Sequence, residues 1–400
     1  MALMDTPVVM IAGPRQCGKT TLAKKIITDD WSYLTFDDPA QLNIARHDPV
    51  GFIRNLPNRH TVLDEVQRVP ELFVCMKQAV DEDRYPGRFL LTGSANALLI
   101  PQLSDSLAGR MEVIPLMPLS ECEIQGTPPT FLANLMNQTA PRAKDIRIRD
   151  TLIEKILAGG FPEPLARNIA SRRRAWYTQY LNSLVQRDIK DLAQIENADV
   201  IPRFMKLLAN HVGQLTNFSE IGAQIGLSRQ TVSRYLRLLE QLFLVSELPA
   251  WHRNENKRLV KAPKIHLVDS GLLAALKQLN AEKLIKNPQI FGHLLENYVY
   301  CELKKQASWQ DESLHFSHYR DKDKVEVDLV LETASQEVMG IEVKAAATLS
   351  TKDFQGLQRL QRTAGNDFHI GVLLYDGDHT TAFGENLFAV PIGALWASIE

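Results

Sequence analysis

Gly13-Pro14-Arg15-Gln16-Cys17-Gly18-Lys19-Thr20 fits the spacing G-x-x-x-x-G-K-[ST] and decides how the first hundred residues are read. The apolar run PVVMIAG before it reads as a strand, and TTLAKKIITDD after it reads as a helix. A phosphate cradle needs this context. Glycines let successive backbone N–H groups turn inward on phosphate oxygens, and the helix N-terminus adds partial positive charge. On this reading Gly13, Pro14, Arg15, Gln16, Cys17, Gly18, Lys19, Thr20 and the adjoining Thr21 surround the phosphates of a nucleotide. Lys19 reaches the β and γ phosphates, and the Thr20 hydroxyl is a ligand of Mg²⁺. Cys17 reads as a small residue that the loop tolerates.

Working outward, HTVLDE reads as the next informative strand, and Asp64-Glu65 stands at its end. Asp64 would hold Mg²⁺ through water, and Glu65 would orient and polarise an attacking water. RFLLTGSAN is a further strand, with Thr92, Ser94 and Asn96 at its tip. SYLTFDD reads as another strand and PELFVCMKQAVDE as a helix, so strands and helices alternate up to about residue 125. Residues 126–145 are rich in turn formers and read as a linker or short lid element.

Composition narrows the class. The chain has 400 residues, 45% hydrophobic and 23% charged, which suits a soluble globular protein of several domains. The four cysteines form no C-x-x-C pair, which argues against a zinc site and for a reducing compartment. A formal net charge of −2 means that any DNA contact must come from local clusters. The N-terminus lacks a signal-peptide pattern, and no apolar run approaches eighteen residues. A cytoplasmic protein with no membrane partner is expected.

With these segments in view, the chain resembles a prokaryotic family of AAA-type ATPases. GPRQCGKTTL, TVLDEVQRVPEL, LLTGSAN, SLAGR, GGFPEPL and Gln186-Arg187-Asp188-Ile189 carry the resemblance, which covers nearly the whole chain. It implies a nucleotide-binding core joined through a helical and winged-helix middle to a C-terminal domain of unknown function with a nuclease-like fold. AAA ATPases place a polar sensor at the strand tip occupied here by Thr92 and Ser94, although these residues would also suit a plain turn. Arg110 of SLAGR would bring positive charge to the transition state, in cis or from a neighbouring subunit, or else be solvated or paired with a carboxylate.

NFSEIGAQIGLSRQTVSRYLRLLEQLFLV reads as two helices about a turn at Gly226-Leu227, with Ser219 and Ser228 as N-caps. Val232, Tyr235, Leu236, Leu239 and Leu242 share one face of the second helix. Arg229 opens that helix, and Gln230, Ser233, Arg234 and Arg237 form the polar stripe that a recognition helix presents to a major groove. The basic stretch that follows, with Arg253, Lys257, Arg258, Lys261 and Lys264, suits a hairpin wing contacting phosphates. Winged helices also serve as protein-binding modules, so this segment alone leaves the partner open.

Further on, the alternation of KVEVDLVLE puts Glu326 and Asp328 on one face of a strand. Glu342 and Lys344 of GIEVKAA likewise share a face. Asp328, Glu342 and Lys344 then match the D…E-x-K pattern of PD-(D/E)XK nucleases, with Glu296 of the preceding helix as a third carboxylate. In such nucleases two carboxylates bind Mg²⁺ and the lysine assists the attacking water. The proline of the motif is absent here, since Glu326-Val327 precedes Asp328.

The architecture expected is α/β at both ends. It comprises an AAA-type core over 1–125, a helical lid-like region over 126–200, a winged helix over 201–275 and a restriction-endonuclease-like domain over 276–400. Two functions remain open. One is an ATP-hydrolysing protein acting on DNA, with ATP and Mg²⁺ as cofactors and homo-oligomers within the range of the class. The other is a nucleotide-dependent protein-binding switch whose nuclease-like domain is inactive.

Overall fold

The computed structural model describes residues 1–94, 107–142, 149–184, 200–254, 258 and 261–397. They fall into two compact units. The first holds the described part of Met1–Pro118 together with Arg237–Leu244, and the second holds the described parts of Leu119–Val185, Asn197–Leu236 and Val245–Glu400.

In the first unit, β1 (Val8–Gly13), β2 (Trp31–Thr35), β3 (His60–Asp64), β4 (Phe89–Ser94) and β5 (Met111–Pro115) make one sheet in the order β2-β3-β4-β1-β5. All its pairings are parallel. β1 is buried along its length, as an uninterrupted apolar strand with cover on both faces must be. Val8, Met10, Ala12, Leu63, Phe89 and Leu91 join a core with residues of helices Pro39–His47, Pro49–Arg54 and Leu72–Glu82. Val9, Ile11, Val62 and Leu90 pack instead with Leu22 and Ala23 of helix Lys19–Ile26. The parallel register brings the carboxyl ends of β1, β3 and β4 to one edge, where open α/β sheets bind their ligands.

The sequence reading extends β2 through Asp38, but the strand stops at Thr35. Two Asp-Pro pairs intervene. Asp38 and Asp48 cap the helices that Pro39 and Pro49 open, accepting from the amides of Ala40 at 2.9 Å and Gly51 at 2.8 Å.

The second unit begins with helices. Phe131–Met136 lies within the stretch read as a linker, and GGFPEP passes directly into the short helix Pro162–Leu165. Helices Arg149–Ala158, Ala170–Leu184, Val200–His211, Phe218–Ile225 and Arg229–Gln241 follow in order, the last of them crossing into the residues of the first unit. β6 (Val245–Leu248) and β7 (Lys264–Leu267) form an antiparallel pair around the basic stretch. The Arg187-Asp188-Ile189 segment lies outside the described residues.

The C-terminal sheet has the order β12-β13-β11-β10-β9-β8, from β8 (His315–Arg320), β9 (Glu326–Glu332), β10 (Val338–Lys344), β11 (Phe368–Tyr375), β12 (Thr381–Ala382) and β13 (Leu387–Pro391). β10, β11 and β13 run parallel, while β8, β9 and β12 pair antiparallel. Helix Gln355–Ala364 buries Leu357, Leu360 and Ala364 against Val327, Val338 and Leu373. Helix Pro288–Ala307, buried along most of its length, packs against β10. Among the described residues no helix is long and apolar enough to cross a membrane.

At Gly356 the backbone of helix Gln355–Ala364 lies close to the backbone of β9. A Cβ there would stand 2.0 Å from the Glu326 carbonyl oxygen, and backbone cannot yield as a side chain does. Gly356→Ala is expected to destabilise the protein by about 1–3 kcal/mol, the usual cost of overpacking. A thermal or urea melt measures it.

Candidate functional site

The phosphate loop joins the end of β1 to the start of helix Lys19–Ile26. Gly18 holds φ at 108°, a left-handed conformation in which a side chain would be strained. A Cβ on Gly13 would meet the Leu116 carbonyl oxygen at 2.0 Å, so β1 and the segment after β5 approach through bare backbone. The Cys17 thiol donates to the same carbonyl at 3.3 Å, and burial pushes its pKa up. The thiol thus packs against the segment after β5. Lys19 is 6% exposed, and its ammonium folds back over the loop, donating to the carbonyls of Pro14 at 2.8 Å and Gly13 at 3.1 Å.

Asp64 ends β3 and is 3% exposed. A carboxylate buried to that degree needs donors. Four hydroxyls supply them. Thr20 and Thr92 donate to Oδ1, the first at 2.8 Å. Tyr33 at 2.7 Å and Thr35 at 3.2 Å donate to Oδ2. Burial, then Asp64, holds the Tyr33 phenol well above its usual range. Neither Tyr33 nor Thr35 figures in the sequence reading, although their i, i+2 spacing on a strand beside β3 was a usable signal.

Glu65 adopts a left-handed φ of 58°, uncommon outside glycine. Its amide donates to the Thr92 hydroxyl at 3.4 Å, and its carboxylate accepts from the Gln67 side chain. Burial raises the Glu65 pKa. Gly93 makes room for Gln67, since a Cβ there would lie 2.7 Å from Oε1 of that side chain. Two adjacent acids thus point into different surroundings.

The backbone of Ser94 pairs with Gly13, beside the loop, while Asn96 lies outside the described residues. For Arg110 the structure shows the carboxylate-paired alternative. It immediately precedes β5, whose first residue, Met111, pairs with Val8. Arg110 therefore stands at the amino end of β1, about 16 Å along the strand from Gly13. Its guanidinium pairs with Asp81 and donates to the Ala108 carbonyl at 3.1 Å. The parallel register keeps it away from the loop of its own chain.

Helix Arg229–Gln241 exposes Arg229, Gln230, Arg234 and Arg237 and buries Val232, Tyr235, Leu236, Leu239 and Leu242. Ser228 caps it, accepting from the Thr231 amide at 3.1 Å. The preceding helix is capped by Asn217 rather than Ser219, because Asn217 accepts from the amides of Ser219 and Glu220. Of the basic stretch, Arg253 is exposed and sits 3.5 Å from Asp367. Lys257 lies outside the described residues. Arg258 makes a two-pronged contact with Glu332, one prong at 2.9 Å.

Lys264 departs furthest from the reading as a surface cation. Its side chain is 2% exposed, and its ammonium lies 2.8 Å from Glu296 Oε1 and 3.4 Å from Asp328 Oδ1. It is the first residue of β7, where K-I-H-L turns Lys264 and His266 to one side. Around it converge the carboxylates and the lysine that the sequence analysis grouped, Glu296, Asp328, Glu342 and Lys344. The Val343 amide donates to Asp328 Oδ2 at 3.0 Å, the Asp328 amide to Glu342 at 3.4 Å, and Lys344 to Glu342 at 2.7 Å. Among the described residues no group of three or more His, Cys, Asp or Glu side chains is arranged to hold a metal ion.

Three carboxylates against two ammoniums leave one negative charge in excess. Burial, then Asp328, pushes Glu296 up to about 8, and the same causes push Glu342 up to about 8. Burial works to lower Lys264, but Glu296 and Asp328 outweigh it and hold it above the usual lysine range. Both shifts favour a proton within the cluster near neutral pH. A carboxyl whose folded pKa lies above its unfolded value of 4.5 binds more protons folded than unfolded, so stability falls as pH rises from about 4.5 to about 8 and then levels. Melting temperatures are expected to decline across that window, with a shallower decline in Glu342→Gln, which removes the excess charge. An equal slope in the variant would contradict this.

Residues 5–125 match a family described as an AAA domain. Residues 149–283 and 291–395 match two domains of unknown function, DUF8612 and DUF4143. Over 394 residues the chain is 29% identical to uncharacterized proteins of Mycobacterium bovis and Mycobacterium tuberculosis, covering 98% of this chain and 81% of each relative. It is 28% identical over 234 residues to an uncharacterized protein of Haemophilus influenzae, covering 54% and 51%. Among solved structures it is similar to a chain of the Thermococcus gammatolerans assembly of McrB AAA+ hexamers with bound McrC, at 11% identity and a TM-score of 0.21, covering 47% of this chain and 46% of that one. Residues 5–125, which hold the Gly13–Thr20 loop and the Asp64 carboxylate, are thus similar to an AAA domain.

Proposed function

We propose that the protein hydrolyses ATP at the carboxyl edge of its N-terminal sheet and uses the nucleotide state to govern engagement of DNA by a winged-helix segment. The observation that carries the first half is Asp64, held by the Thr20 hydroxyl on one side and the Thr92 hydroxyl on the other, with Glu65 next to it. Lys19 would exchange the Pro14 and Gly13 carbonyls for the β and γ phosphates. The donor set suits Mg²⁺, because a hydroxyl and a carboxylate already 2.8 Å apart are hard oxygen ligands beside the loop. When bound there, Mg²⁺ would neutralise charge between the phosphates. Glu65, released from Gln67, would take the proton of the attacking water, and Thr92 or Ser94 would sense the γ-phosphate.

DNA is the partner favoured by the exposed stripe of Arg229, Gln230, Arg234 and Arg237 on a capped helix whose other face is buried. On this view residues 126–200 are a helical connection, 201–275 the winged helix and 276–400 a restriction-endonuclease-like fold. A protein-binding switch is the second reading. It is favoured by the engagement of Arg258 and Lys264 within the protein, which removes two of the five basic residues assigned to the wing.

The test is the steady-state rate of ATP hydrolysis, alone and with single-stranded, duplex and branched DNA. Lys19→Ala is expected to abolish it, and Glu65→Gln to lower it by about a hundredfold or more, the scale of general-base catalysis. A rate raised by DNA, with the rise lost in Arg234→Ala/Arg237→Ala but the basal rate kept, supports DNA engagement. A Lys19-dependent rate indifferent to every DNA favours the protein-binding switch. No Lys19-dependent rate at all overturns the ATPase reading.

A further inference from the structure

We propose that Lys264 takes the place of a divalent cation among Glu296, Asp328 and Glu342, so that this nuclease-like site is closed to metal and cleaves no phosphodiester through one. The proposal rests on the nuclease-like reading of the C-terminal residues only for the expectation of a metal, and it is independent of the ATPase reading.

Position is the first argument. The Lys264 ammonium bridges Glu296 and Asp328 at 2.8 and 3.4 Å, the two carboxylates that a shared cation would join. Mg²⁺ binds carboxylate oxygens at about 2.0–2.1 Å and keeps several waters. It would have to stand where the ammonium stands.

Lys264 cannot easily withdraw. Its side chain is 2% exposed, and its backbone is pinned by pairing to Leu248 on one side and Leu215 on the other. Glu296 is confined from behind by Gly213, whose φ of +73° brings its backbone so close that a Cβ would lie 2.7 Å from Oε2. Asp328 has its second oxygen on the Val343 amide at 3.0 Å.

Charge is the second argument. Lys264 and Lys344 together supply the two positive charges that one divalent ion would bring. Lys344 is committed to Glu342 at 2.7 Å, so the lysine expected to serve the attacking water acts here as a counter-ion. Each of the three carboxylates therefore already has an ammonium partner. A metal is surplus to the site as it is built.

The experiment is a Mn²⁺ titration of the nucleotide-free full-length protein, with free Mn²⁺ followed by electron paramagnetic resonance. Wild type is expected to bind no Mn²⁺ that Asp328→Asn removes, at concentrations up to about 1 mM. Lys264→Gln is expected to gain about one Mn²⁺ per chain, lost again in Lys264→Gln/Asp328→Asn. Should Lys264→Gln unfold, recovery of its circular dichroism spectrum on adding Mn²⁺ is the expected result. Mn²⁺ bound by wild type and lost in Asp328→Asn overturns the proposal. So does a folded Lys264→Gln that gains no metal, or an unfolded one that Mn²⁺ does not restore.

Discussion

A carboxylate taken out of water must find donors or a cation, and both sites in this protein are organised by that requirement. Asp64 meets it with hydroxyls alone, from Thr20, Tyr33, Thr35 and Thr92. Glu296, Asp328 and Glu342 meet it with the ammoniums of Lys264 and Lys344. The two solutions differ in what they permit next. A hydroxyl rotates, and one hydrogen bond to a charged group is worth about 1.5–3 kcal/mol, which a metal–oxygen contact can replace. Removing one partner of a buried ion pair costs about 3–5 kcal/mol, because the other charge is left uncompensated. The hydroxyls around Asp64 can thus be exchanged for a cation at small cost on the proposed reading, whereas the three C-terminal carboxylates already share the two positive charges of Lys264 and Lys344.

The parallel sheet sets what Asp64 can reach. With β4 between β1 and β3, the tips of all three strands share one edge, and Thr92 stands within hydrogen-bonding reach of both Asp64 and the Glu65 amide. The same register places Arg110 beside Val8, at the far end of β1. A parallel sheet separates the two ends of its strands by the full strand length, so residues close in sequence to a strand tip are not thereby close to the site.

Much of the candidate nucleotide site was legible because its chemistry is local. Gly18 needs a left-handed backbone, Lys19 and Thr20 follow at once, and Asp64-Glu65 closes a strand; each of these fits within a few residues of sequence. Tyr33 and Thr35 share a strand face at i, i+2, but what they do there depends on β2 lying against β3, and that pairing is not written in either strand alone. Asp38-Pro39 and Asp48-Pro49 carried a helix-start signal that the apolar run before them obscured. Lys264 was misread for a related reason. In the stretch from Arg253 to Lys264 every cation looks solvated, and only the alternation of Lys264-Ile265-His266-Leu267 distinguishes the last from the rest.

That alternation carries one more consequence. Lys264 and His266 are both buried, and the His266 ring stacks on Tyr300 with centroids 4.2 Å apart. Burial, then the Lys264 charge, lowers His266 to about 3, and burial lowers His318 to about 4. Two imidazoles stand near a cluster with one negative charge in excess, yet neither carries the balancing proton. The reason is the order of costs. Protonating His266 would create a new buried cation near an existing one, whereas protonating a carboxyl removes a buried anion from a crowd of three. The balance of these costs favours a glutamic acid, Glu296 or Glu342, as the holder of the proton, in line with the raised pKa of both. A proton, unlike a divalent ion, brings the sum of the cluster to zero without displacing Lys264.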